Sequence, residues 1–525
     1  MAIEQFLHRS WLHGLDHLDQ LSWGQLILAL VIIWSISSWM SGLDGPKVPM
    51  VGYRWPFEPK FLVRMRFVTQ GLGMMSEGYS KFKDSIFKIT THDADWLIIP
   101  KRYLDDLQSL PVERLSVTDA LVTMWGSDHG PFALLKKSDL GTRALRDVVV
   151  PNYARDLDGL ADELRYTLEH DITLEQDWTT VDTLQLCSKM ILRISQRILV
   201  GWPMSRDQEL IDCTQAYTNA VTIVQFGLKP LPRLLRPIVY PLIPAGWTAK
   251  ACVRQANKLL AKEMQRREHL EKTDPTYEKP KDLLQGMVDL DPSRPLNELG
   301  SDFLVQVQIS RTAPVVTMAR ALMDLALHPQ DLDELRNEIE QVMGRNGEGL
   351  RNLRQTLNKL EKMDSFLRES ARWTPLSMVT VHRVVQDAAG ITLHDGVHLP
   401  RGTHLAFPAY NIGRDPAMVP DAHIFNGMRW YQQRLSKSFD SDRAKCQFAT
   451  PDSNYLTFGS GKYVCPGRFI ASHMMKLMMV AVLLRYDFKW IPGTAKPSQK
   501  YVHVFAFPDK TTLLMKQRPG GEHAF

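Results

Sequence analysis

The sequence predicts a mainly α-helical fold with small β-sheets, preceded by a single N-terminal transmembrane helix. Helical patterns dominate from about residue 155 onward, whereas 86–99 has the composition of two short strands that form a hairpin and end at Pro100. Residues 22–40 are nearly all apolar and long enough to span a bilayer. No internal repeat or low-complexity linker divides the remainder. We therefore expect an N-terminal segment, residues 1–45, and one large domain, residues 46–525.

Composition narrows the class of protein. The chain has 525 residues, of which 44% are hydrophobic, and a formal net charge of +5. The apolar fraction is ample for a large core. The modest positive charge suits an anionic membrane surface or an acidic partner and is no signature of nucleic-acid binding. Five scattered cysteines argue against a disulfide framework.

The apolar segment 22–40 has tryptophans near both ends, as membrane-spanning helices do at the bilayer interface. A cleavable signal peptide is the alternative, but its apolar run would be shorter, and Ser41-Gly42-Leu43 is a poor cleavage site. Arg9 is the only lysine or arginine before the segment, whereas several follow it. The positive-inside rule then places the large domain in the cytosol. Two prolines within 45–52 predict a short, stiff hinge.

Two stretches of the large domain have the composition of irregular structure. Residues 228–247 contain five prolines among apolar residues, so we expect no regular helix there. This stretch is either a buried connector or an apolar loop that dips into the membrane. Residues 271–296 are charged and rich in proline, which predicts an exposed loop.

Residues 458–467 read Phe-Gly-Ser-Gly-Lys-Tyr-Val-Cys-Pro-Gly and precede an apolar, helix-compatible stretch, residues 469–484. The glycines allow tight turns and close backbone approach. Cys465 would lie just before a helix N-terminus, where the helix dipole favours a thiolate. The simple alternative is a buried structural thiol. A thiolate held by a rigid turn is a suitable proximal ligand for haem iron.

This stretch resembles the haem-binding loop of the cytochrome P450 family, whose pattern is Phe-Gly-x-Gly-x-Arg/His-x-Cys-x-Gly. Only Tyr463 departs from the pattern, at a position where the family has a residue that hydrogen-bonds a haem propionate. The resemblance implies haem b as the cofactor and Cys465 as the axial iron ligand. It also implies that the other cofactor-binding residues of the loop are Phe458, Gly459, Gly461 and Lys462.

Glu369 and Arg372 lie three residues apart in a helical pattern, residues 360–372, and share one helix face. Alone, this spacing would indicate an ordinary surface ion pair. Here it resembles the Glu-x-x-Arg motif of the same family, about ninety residues before the haem cysteine. Arg429, in Phe-Asn-Gly-Met-Arg-Trp, resembles the third member of a buried network behind the haem. The resemblance gives Glu369, Arg372 and Arg429 a role in the haem core and none in the chemistry.

A basic residue after Glu-x-x-Arg pairs with a haem propionate in the family. The resemblance implies Arg383 for this role, with His382 as the alternative. Arg143 and Arg146 are further candidates from the region of the family's C helix, although the family's tryptophan signature is missing there.

The oxygen-side helix of the family ends in a sequence like Asp-Leu-Ala-Leu-His328-Pro329. Counting back from there, Thr312 falls where the family has an acid and Ala313 where it has the threonine that delivers protons. A shift of one residue pairs Arg311 with Thr312, and neither register contains a carboxylate. We expect Thr312 to take part in proton delivery. Pro314 lacks an N–H, so we expect a kink in this helix.

The resemblance extends over nearly the whole chain and is closest to fungal microsomal enzymes of the ent-kaurene oxidase and indole-diterpene types. Residues 79–88 and 363–366 carry that likeness. It implies a monooxygenase in the endoplasmic reticulum membrane, with its catalytic domain facing the cytosol and a lipophilic, terpenoid-type substrate. NADPH would supply electrons through NADPH-cytochrome P450 reductase, which would meet basic residues near the haem loop: Lys462, Arg468 and Lys476. The substrate-pocket candidates, placed by the family's topology, are Ala313, Leu376, Val379 and Phe505.

The missing acid in the oxygen-side helix keeps other functions open. One is a haem-thiolate isomerase or dehydratase, which rearranges an oxygenated substrate without activating O₂. Another is a haem-binding membrane protein that has no turnover.

Overall fold

The computed structural model describes residues 46–125, 131–229, 231, 235–344, 352–498, 500–507 and 511–521. The predicted transmembrane helix, residues 22–40, lies outside these ranges, as does the side chain of Tyr463. Within the described ranges, none of the helices combines the length and the apolar character needed to cross a bilayer.

The described part of the chain is mainly helical, with small sheets, as predicted. Its α-helices in chain order are α1 (Lys60–Phe82), α2 (Leu104–Gln108), α3 (Val117–Met124), α4 (Leu140–Ala144), α5 (Val150–Asn152), α6 (Leu157–His170), α7 (Thr183–Val200), α8 (Gln208–Leu228), α9 (Arg236–Val239), α10 (Pro244–Thr273), α11 (Leu283–Leu290), α12 (Gly300–Leu327), α13 (Pro329–Met343), α14 (Leu353–Lys359), α15 (Glu361–Trp373), α16 (Ala409–Arg414), α17 (Arg429–Leu435), α18 (Asp440–Ala444) and α19 (Arg468–Arg485).

The strands are β1 (Met50–Val51), β2 (Phe87–Thr90), β3 (Asp95–Ile98), β4 (Leu115–Ser116), β5 (Thr179–Asp182), β6 (Thr380–Val385), β7 (Ile391–Thr392), β8 (His398–Leu399), β9 (His404–Phe407), β10 (Tyr486–Lys489), β11 (Tyr501–Val502), β12 (Phe505–Ala506) and β13 (Thr512–Gln517). The largest sheet has the strand order β1-β2-β3-β9-β6-β4. Its antiparallel pair β2–β3, with Phe87 opposite Ile98, confirms the predicted hairpin. A three-stranded sheet, β10-β13-β5, and two strand pairs complete the β structure.

The main hydrophobic core is built largely from helices. It contains buried residues of α6, α7, α8, α12, α15 and α19. A second cluster lies against the six-stranded sheet and includes Val381, Leu405 and Phe407. Helix α15 is deeply buried, because all ten residues from Met363 to Arg372 are buried and the helix has no solvent-facing side over that length.

Helix α12 is 28 residues long and continues through Pro314. The helix is therefore unbroken at Pro314, and the kink stays a prediction. Ser310 donates its hydroxyl to the Val307 carbonyl at 3.2 Å, one turn before the proline.

Two of the predicted irregular stretches contain helices. In 228–247 the short helix α9 and a 3₁₀ turn are followed by α10, which begins at Pro244. A proline in the first turn of a helix loses no hydrogen bond, so the expectation of irregular structure was wrong from that residue onward. In 271–296, α11 buries every residue from Leu283 to Met287. Asp282 caps this helix through the backbone N–H of Gln285, and the prediction of an exposed loop was wrong there.

Candidate active site

The loop before α19 is shaped by two glycines in the left-handed region, Gly459 at φ +81° and Gly461 at φ +66°. The backbone N–H of Cys465 donates to the Phe458 carbonyl at 2.8 Å and closes the loop. The Ser460 hydroxyl donates to Gln108 at 2.7 Å. A Cβ added to Gly461 would lie 2.0 Å from the Gln108 carbonyl oxygen, so only glycine fits where the loop meets α2.

Cys465 lies three residues before the first residue of α19, as predicted. Burial raises the pKa of its thiol, while a hydrogen bond from the Gly467 backbone and the charge of Arg468 act in the opposite direction and are smaller. The hydrogen bond from the Gly467 backbone acts in the direction expected for a helix terminus, and the thiolate stays a prediction. A coordinated metal ion would deprotonate the sulfur directly.

Cys465 and the middle of α12 both keep some accessible surface. The cysteine keeps some accessible surface although burial dominates the pKa of its thiol. A Cβ added to Gly467 would meet no heavy atom within 4 Å. In α12, residues 312–317 are partly exposed, whereas residues 302–308 and 318–325 are buried. A thiol donor that keeps accessible surface on a turned loop fits a haem iron.

Glu369 is fully buried and joins two arginines. Its carboxylate accepts from Arg372 at 2.6 and 2.8 Å and from Arg429 Nε at 3.2 Å. Arg372 also donates to the carbonyls of Gly413 at 2.7 Å and Ala422 at 2.9 Å. The structure thus brings the three predicted network residues together and ties α15 to the segment after α16.

Two further donors to Glu369 escaped the sequence analysis. The indole of Trp430 donates to the carboxylate at 3.1 Å and the backbone N–H of Asn426 at 3.0 Å. Arg368, also in α15, is fully buried, donates to the carbonyls of Gln447 and Thr450, and pairs with Asp452 at 2.5 Å. The sequence offered one signal for the burial of Arg368, which is its position directly before Glu369 in the same helical pattern.

The predicted propionate partners have different surroundings. Arg383 is buried in β6 and donates to the His382 carbonyl at 2.8 Å. His382 stacks on Trp96 with ring centroids 4.0 Å apart, and burial first, then the charges of His404 and Arg383, hold its pKa well below the usual value. His382 is therefore neutral at pH 7 and supplies no charge. Arg383 remains the predicted partner.

The structure does not support two of the other basic candidates. Arg143 pairs with Asp139 at 3.0 Å and Arg146 with Asp147 at 2.7 Å. Both arginine side chains are largely exposed, so they form surface ion pairs. Lys462 is exposed as well.

Thr312 lies in the partly exposed middle of α12. Its hydroxyl donates to the Gln308 carbonyl at 3.0 Å and lies 3.3 Å from the Gln308 amide nitrogen, which can donate to it. Arg311, which precedes it, is buried against α8 and donates to Thr214 and Gln215. The Thr312 hydroxyl thus contacts Gln308, and the residue before it in the sequence is an arginine that points to α8. This agrees with the absence of a carboxylate from the sequence here.

The pocket candidates divide into two groups. Leu376 lines a small cleft together with Thr317 of α12, and the backbone N–H of Ala506 donates to the Leu376 carbonyl at 2.8 Å. Phe505 is half-buried and lies 5.0 Å from the ring of Trp125. Ala313 is partly exposed on α12. Val379, in contrast, is packed in a core cluster with 3% exposure, so it does not line an open pocket.

A buried ion cluster joins the stretch after α8 to the β2–β3 turn. Asp93, in that turn, lies 2.9 Å from Arg236 and 4.0 Å from Lys229. Burial alone would raise the pKa of Asp93, but His92 and the two cations outweigh it and lower the pKa to about 2. Lys229 also donates to the Met124 carbonyl at 3.0 Å. The connector between α8 and α10 is therefore fastened to the sheet.

The predicted partner surface near the loop is smaller than expected. Lys476 is 4% exposed and pairs with Asp364 at 2.7 Å, so it cannot meet a partner protein. Arg468 is partly exposed, and its guanidinium lies 4.5 Å from the ring of the exposed Phe469.

Comparison with known proteins gives consistent matches. The sequence profile of the family described as Cytochrome P450 matches residues 157–515. The chain is 67% identical, over 99% of both chains, to "Cytochrome P450 monooxygenase ltmJ" of Epichloe festucae var. lolii. It is 41% identical, over 95% of both chains, to the cytochrome P450 monooxygenase terK of Tolypocladium album. It is 30% identical to "Ent-kaurene oxidase" of Fusarium fujikuroi, over 96% of this chain and 95% of that one.

Proposed function

This chain belongs to the cytochrome P450 family and is a haem-containing monooxygenase, and we propose that it uses O₂ to hydroxylate or oxidise a lipophilic small molecule of the terpenoid type. The observation that carries the proposal is Cys465, which keeps accessible surface on its glycine-shaped loop before α19. The substrate class rests on the relative that is by name an oxidase of ent-kaurene and on the apolar side chains of Leu376 and Phe505.

The haem, when bound, supplies the oxidising chemistry, and Cys465 would hold its iron through the sulfur. The protein's own residues position the reactants. Thr312 holds a hydroxyl in the open part of α12, oriented by the Gln308 carbonyl and side-chain amide, where it can pass a proton to a reacting group. Leu376 and Phe505 contribute apolar surface that excludes water and favours a hydrocarbon skeleton.

Glu369, Arg372 and Arg429 take no part in the chemistry, and their role is to hold the structure around the haem. Their network holds α15 against the segment that precedes α17, and this segment leads on to the Cys465 loop. Electrons come from NADPH through a reductase. We propose that NADPH-cytochrome P450 reductase docks near Lys462 and Arg468, both of which retain accessible surface beside the loop.

We further propose that the protein is a single-pass protein of the endoplasmic reticulum membrane with its catalytic domain in the cytosol. Exposed apolar side chains cluster in two stretches of the catalytic domain. One follows the predicted hinge and the other spans the connector between α8 and α10. They are Trp55, Phe57, Phe61, Leu62 and Met65, and Leu235, Ile238, Leu242 and Trp247. Such stretches bury apolar area in a bilayer surface.

Alkaline carbonate extraction of cell membranes tests this localisation. The full chain should remain in the membrane pellet, and a chain that starts at residue 46 should be released at least in part. Release of the full chain by carbonate would contradict the membrane anchor.

The test of the catalytic function starts from the spectrum of the reduced protein with carbon monoxide. Wild type should give a strongly red-shifted Soret band, which the Cys465→Ala variant lacks because the thiolate is gone. Purified enzyme, reductase and a panel of polycyclic terpenoids are then incubated under ¹⁸O₂ with and without NADPH. Products that contain ¹⁸O and need NADPH support the proposal. Products that form equally without NADPH would identify an isomerase or dehydratase, which the missing acid near Thr312 keeps as the second candidate.

A further inference from the structure

A second cleft, separate from the Cys465 loop, lies where the C-terminal part of α12 meets α16 and the end of α15. Arg320, Asp324 and Arg414 line it, together with the exposed Lys496. Trp373 and Tyr410 form part of the wall. The reaction described above uses none of these residues.

Arg414 has no anionic partner in this cleft. Its guanidinium stacks against Trp373 at 4.1 Å and Tyr410 at 4.4 Å. In the part of the chain that the structure describes, no carboxylate lies within ion-pair distance of it, and its buried Nη1 has no hydrogen-bond acceptor. Burial first, and then the like charges of Arg372 and Arg320, lower its pKa.

Arg320 is a second cation beside the cleft. It is 7% exposed, and its Nε forms an ion pair with Asp324 Oδ1 at 3.1 Å. Asp324 is already committed, because it also accepts the Ser370 hydroxyl at 2.7 Å. Glu369, the other nearby carboxylate, is taken up by Arg372 and Arg429.

A buried donor without an acceptor costs free energy, and Arg414 Nη1, on a guanidinium group that lines this cleft, calls for an external acceptor. Guanidinium matches the oxygen geometry of phosphate and carboxylate. We propose that this cleft binds a small oxyanion, phosphate or carboxylate, that accepts a hydrogen bond from Arg414 Nη1. Lys496 at the rim adds long-range attraction.

Isothermal titration of the haem-loaded full chain tests the site, with inorganic phosphate and acetate as probes and sodium chloride of equal ionic strength as the reference. Saturable binding of either probe, with about one ion per chain, is expected. Arg414→Gln should weaken it about ten- to a hundredfold, because hydrogen bonds to charged groups contribute about 1.5–3 kcal/mol. Arg401→Gln, a change at an exposed arginine elsewhere, should leave the affinity unchanged.

Lys496→Glu guards against the possibility that Arg414→Gln disturbs the fold. Lys496 is exposed, so its replacement leaves the core intact, and it should weaken binding measurably in a manner that salt reduces. Neither probe saturating the wild type, or equal affinity in wild type, Arg414→Gln and Lys496→Glu, would overturn the site. These results do not depend on turnover, so they stand apart from the proposed oxidation.

Discussion

Replacing Glu369 with alanine should sharply destabilise the haem core. The fully buried carboxylate accepts hydrogen bonds from five N–H groups, two on Arg372 and one each on Arg429, Asn426 and Trp430. Its removal leaves buried positive charge uncompensated, and breaking a buried ion pair in this way costs about 3–5 kcal/mol. At about 1.4 kcal/mol for each tenfold change, the population of the opened form rises roughly a hundredfold to a few thousandfold.

Glu361 provides a matched control on the same helix. It pairs with Arg434 at 2.8 Å, but its side chain is 34% exposed, so Glu361→Ala should cost no more than about 1 kcal/mol. Haem content after purification and urea titration, followed by Soret absorbance and tryptophan fluorescence, measure both variants. Glu369→Gln keeps the size of the side chain and removes its charge, which separates the electrostatic loss from the cavity. Equal losses in Glu369→Ala and Glu361→Ala would refute the reasoning.

Two further predictions concern the loop and the ion cluster. Gly461→Ala should lower haem content and the urea midpoint, at a cost of at least about 1–3 kcal/mol, because of its positive φ and the contact with Gln108. Gly73→Ala in α1, where φ is not positive and the added Cβ meets nothing within 4 Å, should retain haem, and similar behaviour of the two variants would contradict this account. The depressed pKa of Asp93, about 2, predicts that about 2 kcal/mol of stability is present above about pH 4 and is lost as the pH falls toward 2. The difference in urea midpoint between wild type and Asp93→Asn should therefore be constant from pH 5 to 7 and shrink below pH 4, and a difference that is independent of pH would count against an ionised Asp93.

Spacing in the sequence was enough to predict the residues that lie close together along the chain. Glu369 and Arg372 share a helix face because of helical geometry, and the glycines before Cys465 imply a turned loop. Arg429 was assigned by resemblance, since nothing in local spacing indicates a contact with Glu369, sixty residues away. Trp430 was overlooked because an indole carries no charge that marks it as a partner of a carboxylate.

Charge alone did not tell which basic residues face water. Lys476 lies near the haem loop in sequence, yet it points from α19 to Asp364 and is buried. Arg143 and Arg146 have acidic residues close by in sequence, at Asp139 and Asp147, and pair with them locally. Which side of a helix is covered depends on segments that arrive from far along the chain, and a single sequence does not reveal them.

The burial of α15 on every side restricts how this chain can be divided or rearranged. Six of the ten consecutive buried residues of α15 are polar or charged, so their hydrogen bonds and charges are satisfied only when distant segments enclose the helix. Arg368 and Arg372 bind carbonyls of two such segments, at 447–450 and 413–424. If the chain is cut between α15 and the Cys465 loop, the enclosure of α15 changes from an intramolecular step into an association of two fragments. Surface loops that precede α15 are therefore the better places for splitting or circularly permuting this enzyme.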